Sequence, residues 1–416
     1  MKFRSILFAL VVCALLCSPA ALWALERSNR IDIPSWLSTE DAAYLSGGRT
    51  NADVAAVAST QGFLSGKLQQ ALEDEIGNYI PAKATALLTN AKLQYGAISA
   101  SNLFFNWKCL PTFYGSTLAA VPSEHRLVDL AQVATDDLLA SAEATAASLS
   151  NFCEQHPDIN LTVYLGPDSQ NVDGSPTGSL MSNPLSYDDI EDIMKKQQGT
   201  FKWVSGAVSY DEFLQNWYNT DHHWNIRGAF QAYQRIATAL GFGDKLLVPT
   251  SELVFDEPIF LGSFARRGLN ADYSDAIIDY VFEEFPDFSV KINGEKAPAR
   301  SLAHEKDYRE DTWNENAYAN RYAEYFHTDY ASITLTNKDE DAAGELLIVG
   351  DSYSNCMERF LASHYKKTYV LDPRHTSRTL DSFLASHENV KDVVFIMRST
   401  NLLSQATRDF IEGSKQ

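Results

Sequence analysis

The chain has 416 residues, 45% hydrophobic and 21% charged, a globular rather than disordered composition whose length suits one large α/β domain or two smaller ones. Its 34 Lys and Arg against 54 Asp and Glu give a formal charge of −20. That excess argues against nucleic acid as a partner and against docking on anionic lipid through surface charge. It would also repel a strongly anionic polymer, except at a local basic patch.

Residues 1–24 read as a targeting segment. Lys2 and Arg4 form a basic start, Ile6 to Leu16 an uncharged apolar core, and Ser18-Pro19-Ala20-Ala21 with Leu22-Trp23-Ala24 a cleavage region. The apolar stretch reaches towards Leu25, near the ~20 residues a membrane helix needs, so an uncleaved anchor is the alternative. Either way the body is exported. Of the five cysteines, Cys13 and Cys17 fall in this segment; Leu16 before Cys17 argues against a lipoprotein signal. Cys109 and Cys153 are then the candidate bridge with Cys356 left over, and three buried thiols are the alternative.

Residues 25–60 are a polar lead-in, and 61–416 read as the folded domain. Leu64, Leu68, Leu72, Ile76 and Ile80 recur at helical spacing until Pro81, and a second helix is predicted over Ala82 to Tyr95. An Ala-rich helix is predicted between Leu127 and Cys153, followed by a strand at 161–165, a helix-then-strand unit of an α/β sheet. Residues 167–186 are a polar loop, Tyr187 to Gln198 a helix and Phe201 to Val208 a short strand. Ile226, Ala229, Phe230, Tyr233, Ile236 and Leu240 form the stripe of a further helix, with Thr220 or Asp221 as its candidate N-cap. Residues 250–340 interrupt the rhythm and read as an insertion in the same domain. Within it, Arg266-Arg267 is either an anion contact or an exposed basic pair, and 288–293, 318–326 and 332–335 look like strands and loops. The strands 345–349, 367–371 and 390–397 complete a parallel sheet with 161–165. Arg374 and His375, just after 367–371, are rim candidates, and Asn401, beyond the last strand, is a candidate substrate or oxyanion contact.

Two segments carry the chemistry. In ELLIVGDSYSNC, 345–356, a buried apolar strand meets Gly350, which permits a sharp turn, and a helix is predicted over Met357 to His364. A strand, a tight turn and a helix place Ser352 at the C-terminal edge of the sheet, where open α/β sheets bind ligands. An ordinary turn with Ser as N-cap is the alternative. In TDHHWNIRGAF, 220–230, Asp221 and His223 offer the base that a weak serine nucleophile needs and the acid that orients it. A metal site there is a weak reading, because adjacent His side chains diverge and no ligand cluster of the usual spacing accompanies them.

Together, GDSYSN at 350–355 and YNTDHHWNIRGAFQAY at 218–233 resemble the DHHW protein family, within the SGNH-hydrolase superfamily and similar to the alginate O-acetylation proteins. The resemblance spans roughly residues 60–410, and the order of the two motifs is the family's. It implies an SGNH-hydrolase-like α/β fold: a central parallel sheet flanked by helices, with the insertion around 250–340. It implies Ser352 as nucleophile, His223 as base and Asp221 as orienting acid, with no cofactor and no metal. Gly350, Asp351 and Tyr353 join Arg374 and Asn401 as substrate or oxyanion candidates, and Gly262-Ser263-Phe264 resembles a loop of the family near the site. The Gly and Asn that supply further oxyanion donors in simpler SGNH esterases have no evident counterpart. The function implied is an exported O-acetyltransferase of an extracellular or cell-wall polysaccharide, fed by a membrane-bound acyltransferase. An esterase of the same fold, or a non-catalytic binding module, is the alternative.

Overall fold

The computed structural model describes residues 2–28, 30–31, 45, 54–78, 82–105, 108–111, 117–197, 200–298 and 316–414. Most of the lead-in at 25–60, together with Ile80 and Pro81, lies outside them. Lys2–Arg27 is helical, and Ile6, Leu7, Phe8, Leu10 and Val11 stay exposed on it. Among the described residues no helix is long and apolar enough to cross a membrane.

Thirteen strands follow among the described residues. β1 (Leu110–Pro111), β2 (Leu118–Val121) and β3 (Arg126–Asp129) form a small antiparallel sheet. β6 (Ser251–Phe260) and β7 (Asp275–Val281) pair as a ribbon. The rest form one eight-stranded sheet: β4 (Asn160–Gly166), β5 (Lys202–Val204), β8 (Phe288–Ile292), β9 (Glu295–Ala297), β10 (Ser332–Asn337), β11 (Glu345–Gly350), β12 (Lys367–Leu371) and β13 (Val390–Arg398). Its order is β5-β4-β13-β11-β12-β10-β8-β9. The predicted strands pair in parallel with the motif strand β11 between β13 and β12, and β5 joins them in parallel beyond β4. The predicted insertion is therefore partly sheet: β10, β8 and β9 extend it antiparallel from β12.

β11 shows why this strand is central. Leu346 and Ile348 pack on one side with Trp224, Tyr233, Ile236 and Phe360. Leu347 and Val349 pack on the other with Leu149, Phe152, Ile190, Met194 and Phe410. A strand buried on both faces needs an apolar residue at every position, which is what Leu346 to Val349 supply.

Four readings change. The helix placed between Leu127 and Cys153 begins only at Asp136, capped by the Thr135 side chain, because Arg126–Asp129 are a strand. The helix after the DHHW segment starts at Ile226, and its cap is Asn225, whose side chain accepts from the Arg227 and Gly228 N–H groups; neither Thr220 nor Asp221 caps it. Within 318–326, Arg321–Phe326 is a helix, not a strand. The Cys109–Cys153 bridge does not form: Cys109, Cys153 and Cys356 are all free thiols.

Candidate active site

Gly350 ends β11 where only a residue without Cβ fits, since a Cβ there would meet the Ser354 Oγ at 2.3 Å. The chain turns at once, leaving Ser352 partly exposed at the sheet's C-terminal edge. The segment before the Ile226 helix brings Asp221 and His223 to the same point. The Ser352 Oγ lies 2.8 Å from His223 Nε2, and His223 Nδ1 lies 2.6 Å from Asp221 Oδ1. The carboxylate also accepts the His223 N–H at 3.0 Å and, on Oδ2, the Ser263 N–H at 2.6 Å. Burial disfavours the Asp221 charge, but the His222 and His223 rings and these hydrogen bonds hold its carboxyl well below the usual carboxylate range. An ionised acceptor on Nδ1 leaves Nε2 facing the serine hydroxyl, the tautomer that a serine base requires.

The frame around this relay is tight. Gly262 lets the 263–268 helix approach, because a Cβ there would meet Thr220 O at 2.3 Å and Asp221 Cβ at 2.5 Å. The Asp275 carboxylate accepts the Asn219 and Thr220 N–H groups, both at 2.7 Å, and so fixes the residues before Asp221. Burial pushes Asp275 up to about 6 despite those bonds. Trp224 is fully buried beneath the segment and donates to Tyr353 O at 3.1 Å.

The His222 and His223 side chains do not diverge as expected of adjacent histidines. The His222 ring lies 3.8 Å from the His223 ring, and its Nδ1 is 2.7 Å from the Ser263 Oγ. Burial and the neighbouring His223 hold it far below the ordinary histidine value. On the other side of His223, Tyr322 stacks at 3.7 Å with ring planes 2° apart, while its hydroxyl donates to the Ser352 carbonyl at 3.0 Å. Tyr322 sits on the helix of the insertion, and nothing in the sequence marks a lone Tyr for this position. Gly262-Ser263-Phe264 was the one signal in the insertion that leads to the site.

Several candidates are held in the frame of the site. Asp351 is buried and accepts the Tyr353 N–H, the Arg398 N–H and the Asn401 amide at 2.7 Å. One N–H of the Asn401 amide is thus committed to the turn. The Tyr353 ring is buried and its hydroxyl donates to the His222 carbonyl at 2.6 Å. Arg374 is forked onto Asp372 and reaches Asp329 at 2.7 Å, while His375 is exposed at the rim. Arg267 pairs with Asp129. The Ser352 N–H makes no hydrogen bond among the described residues, so it is open to a ligand at the turn.

Two clusters among the described residues bring three possible metal-ligand atoms within 4.8 Å: Asp221, His222 and His223, and Asp329, Asp372 and His375. In the first, the carboxylate is taken up by the hydrogen bonds that build the relay. In the second, Arg374 already pairs with both carboxylates.

The sequence pattern of the DHHW protein family matches residues 207–371, a stretch holding both motifs, so the resemblance is borne out. A DHHW family protein from Eubacterium siraeum is 15% identical with a TM-score of 0.54, covering 74% of this chain and 95% of that one. Bacillus cereus PatB1 is 20% identical with a TM-score of 0.54, covering 68% and 96%. A structure of PatB1 with a sulfonyl adduct is 18% identical with a TM-score of 0.52, covering 68% and 97%. These similarities establish a shared fold. No curated protein matches the sequence.

Proposed function

We propose that this chain is an exported acyl-transfer enzyme, an O-acetyltransferase of an extracellular or cell-wall polysaccharide. The observation that carries the reading is the unbroken relay from Asp221 through His223 to the Ser352 hydroxyl, at 2.6 Å and 2.8 Å. In the first half-reaction the Ser352 Oγ attacks the acetyl carbonyl of a donor ester while His223 Nε2 takes the hydroxyl proton. The tetrahedral oxyanion faces the Ser352 N–H. It collapses with cleavage of the donor's ester bond, and His223 returns the proton to the departing group. In the second half, a sugar hydroxyl gives its proton to His223 and attacks the acetyl-serine, and the proton then returns to the Ser352 Oγ as the sugar ester leaves. Asp221 holds the ring and the imidazolium throughout. Water in place of the sugar makes the same residues an esterase.

Export rests on the basic, apolar and small-residue order of residues 1–24 and on the apolar side chains left exposed on Lys2–Arg27. The partner this reading calls for is a membrane-bound acyltransferase that supplies the acetyl group.

The test is release of p-nitrophenol from its acetate ester, with and without purified glycan. Wild type should turn over, carry an acetyl group on Ser352 when trapped by acid, and pass it to glycan. Ser352→Ala should abolish all three. A sulfonyl fluoride, the reagent class suggested by the PatB1 adduct, should label Ser352 and block turnover. Full activity in Ser352→Ala, or glycan binding without any Ser352-dependent turnover, would replace this reading with that of a binding module.

A further inference from the structure

Two buried titratable groups beside the nucleophile turn take no part in the relay. Glu358 opens the helix Glu358–Ala362 that follows the turn, and His327 follows the helix Arg321–Phe326 that carries Tyr322. One Glu358 oxygen accepts the Ser354 hydroxyl at 2.7 Å, and the other lies 3.3 Å from His327 Nε2. His327 Nδ1 donates to the Thr328 carbonyl at 2.8 Å, so Nε2 and the carboxylate can meet only across a proton.

The backbone of His327 is unusual as well. Its φ of +60° with ψ of 165° falls in a region almost confined to glycine, where other residues persist only if their surroundings over-determine them. Its carbonyl accepts the Asn355 amide at 3.2 Å, and the same amide reaches Asp329 at 3.1 Å. Adjacent residues repeat the connection. Arg359 pairs with Asp279 of β7 at 2.6 Å, and Tyr325 donates its hydroxyl to that Asp279 at 2.9 Å. The helix that stacks Tyr322 on His223 is thus fastened to the segment that carries Ser352 through residues 354, 355 and 358. A buried charged pair contributes little net stability over an apolar replacement; what it can supply is one fixed arrangement.

We infer that His327 and Glu358 are a positioning pair for the relay. They hold the Tyr322 helix in register with the nucleophile turn, so that the Tyr322 ring stays on His223 and its hydroxyl on the Ser352 carbonyl. The inference rests on the acyl-transfer reading for its effect on turnover; the connection itself does not depend on that reading.

The experiment uses the full-length protein, p-nitrophenyl acetate as substrate, and hydrogen exchange of the segments 321–326 and 350–355. Glu358→Ala should lower kcat roughly tenfold to 100-fold per folded molecule with KM nearly unchanged, the sign of a misplaced group rather than of lost binding. It should also speed exchange in both segments. Glu358→Gln should recover most of the rate, because its amide oxygen accepts from Ser354 and its NH₂ donates to a neutral His327. Tyr322→Phe should cost less in the Glu358→Ala background than in wild type, since the bond it removes is already loosened. Val290→Ala, a core truncation three strands from β11, should lower the thermal midpoint and leave kcat per folded molecule and local exchange as in wild type. If Glu358→Ala does not fold, His327→Gly, which relaxes the backbone and deletes the ring, takes its place with the same expected losses. Wild-type kcat in these variants, a Gln variant no better than the Ala variant, or additive losses with Tyr322→Phe overturns the inference. Ser352-dependent turnover with unchanged local exchange also overturns it and leaves the acyl-transfer reading standing. Faster local exchange in a protein without Ser352-dependent turnover keeps the connection and removes that reading.

Discussion

Replacing Tyr322 separates two ways in which one side chain can hold a base. Its ring lies 3.7 Å from His223 with planes 2° apart, and its hydroxyl donates to the Ser352 carbonyl at 3.0 Å. Burial, and next to it the Cys356 thiol, keep the phenol pKa far above its ordinary value, so it is a donor at any working pH. Tyr322→Phe removes the hydrogen bond and keeps the stack. A net hydrogen bond is about 1 kcal/mol, so if all of it serves the transition state kcat/KM falls roughly fivefold. Tyr322→Leu removes both. An aromatic stack adds about 0.5–1.5 kcal/mol, and the combined loss approaches roughly 50-fold. Leu also leaves space beside His223 and costs about 2–4 kcal/mol of stability, so kcat/KM is taken per folded molecule, with the folded fraction from a thermal melt. The assay is ester hydrolysis at saturating and at limiting substrate. If Tyr322→Leu matches Tyr322→Phe, the stack contributes nothing to catalysis; if Tyr322→Leu turns over like wild type, the whole account of Tyr322 is wrong.

Asp275 gives a pH signature. Its folded pKa of about 6 lies above the ordinary 3.8, so its protonation favours the folded state. That stabilisation is full below about pH 4 and is lost as pH rises through 6, about 3 kcal/mol in all. Asp275→Asn should flatten this part of the stability curve and cost about 1–3 kcal/mol at low pH, because one of the two N–H groups loses its acceptor; parallel melting curves for variant and wild type would contradict the assignment. Gly262→Ala should drive the 263–268 helix away from Asp221, lowering both the thermal midpoint and turnover, and normal turnover would show that the contacts at 2.3 Å and 2.5 Å relax freely. His222→Ala should cost less turnover than His223→Ala in the same ester assay, since His222 touches the base only by its ring face; equal losses would place His222 in the chemistry.

The relay was legible in the sequence because its parts are local. Asp221 and His223 are two residues apart, and Ser352 follows an apolar run that only a doubly buried strand explains. The errors came where one residue type serves two purposes. Asp221 and Asn225 are both cap-forming types four residues apart, and only the demand of His223 for a carboxylate decides that Asn225 caps the helix. Leu127 and Val128 fit a helical stripe as well as a strand, and pairing with Ala119 and Ala120 decides for the strand. Asn401 was placed at the correct edge of the sheet, but its amide is used by Asp351, a partner 50 residues away. Tyr322 had no pattern to announce it. Its importance comes from a stack with a residue 99 positions earlier, and long-range pairings of that kind leave no mark on spacing.

The three unbridged thiols of the folded domain make it insensitive to its redox surroundings. Burial pushes Cys109 and Cys153 up to about 11 and Cys356 up to about 12, so none is a thiolate at neutral pH. Thiols held protonated react slowly with oxidants and exchange poorly with disulfides. The fold can therefore mature without a disulfide isomerase, and protein made in a reducing bacterial cytosol should have the same active site as protein matured under oxidising conditions. Cys356 has the most protected place of the three, with its sulfur accepting the Trp224 indole N–H at 3.1 Å.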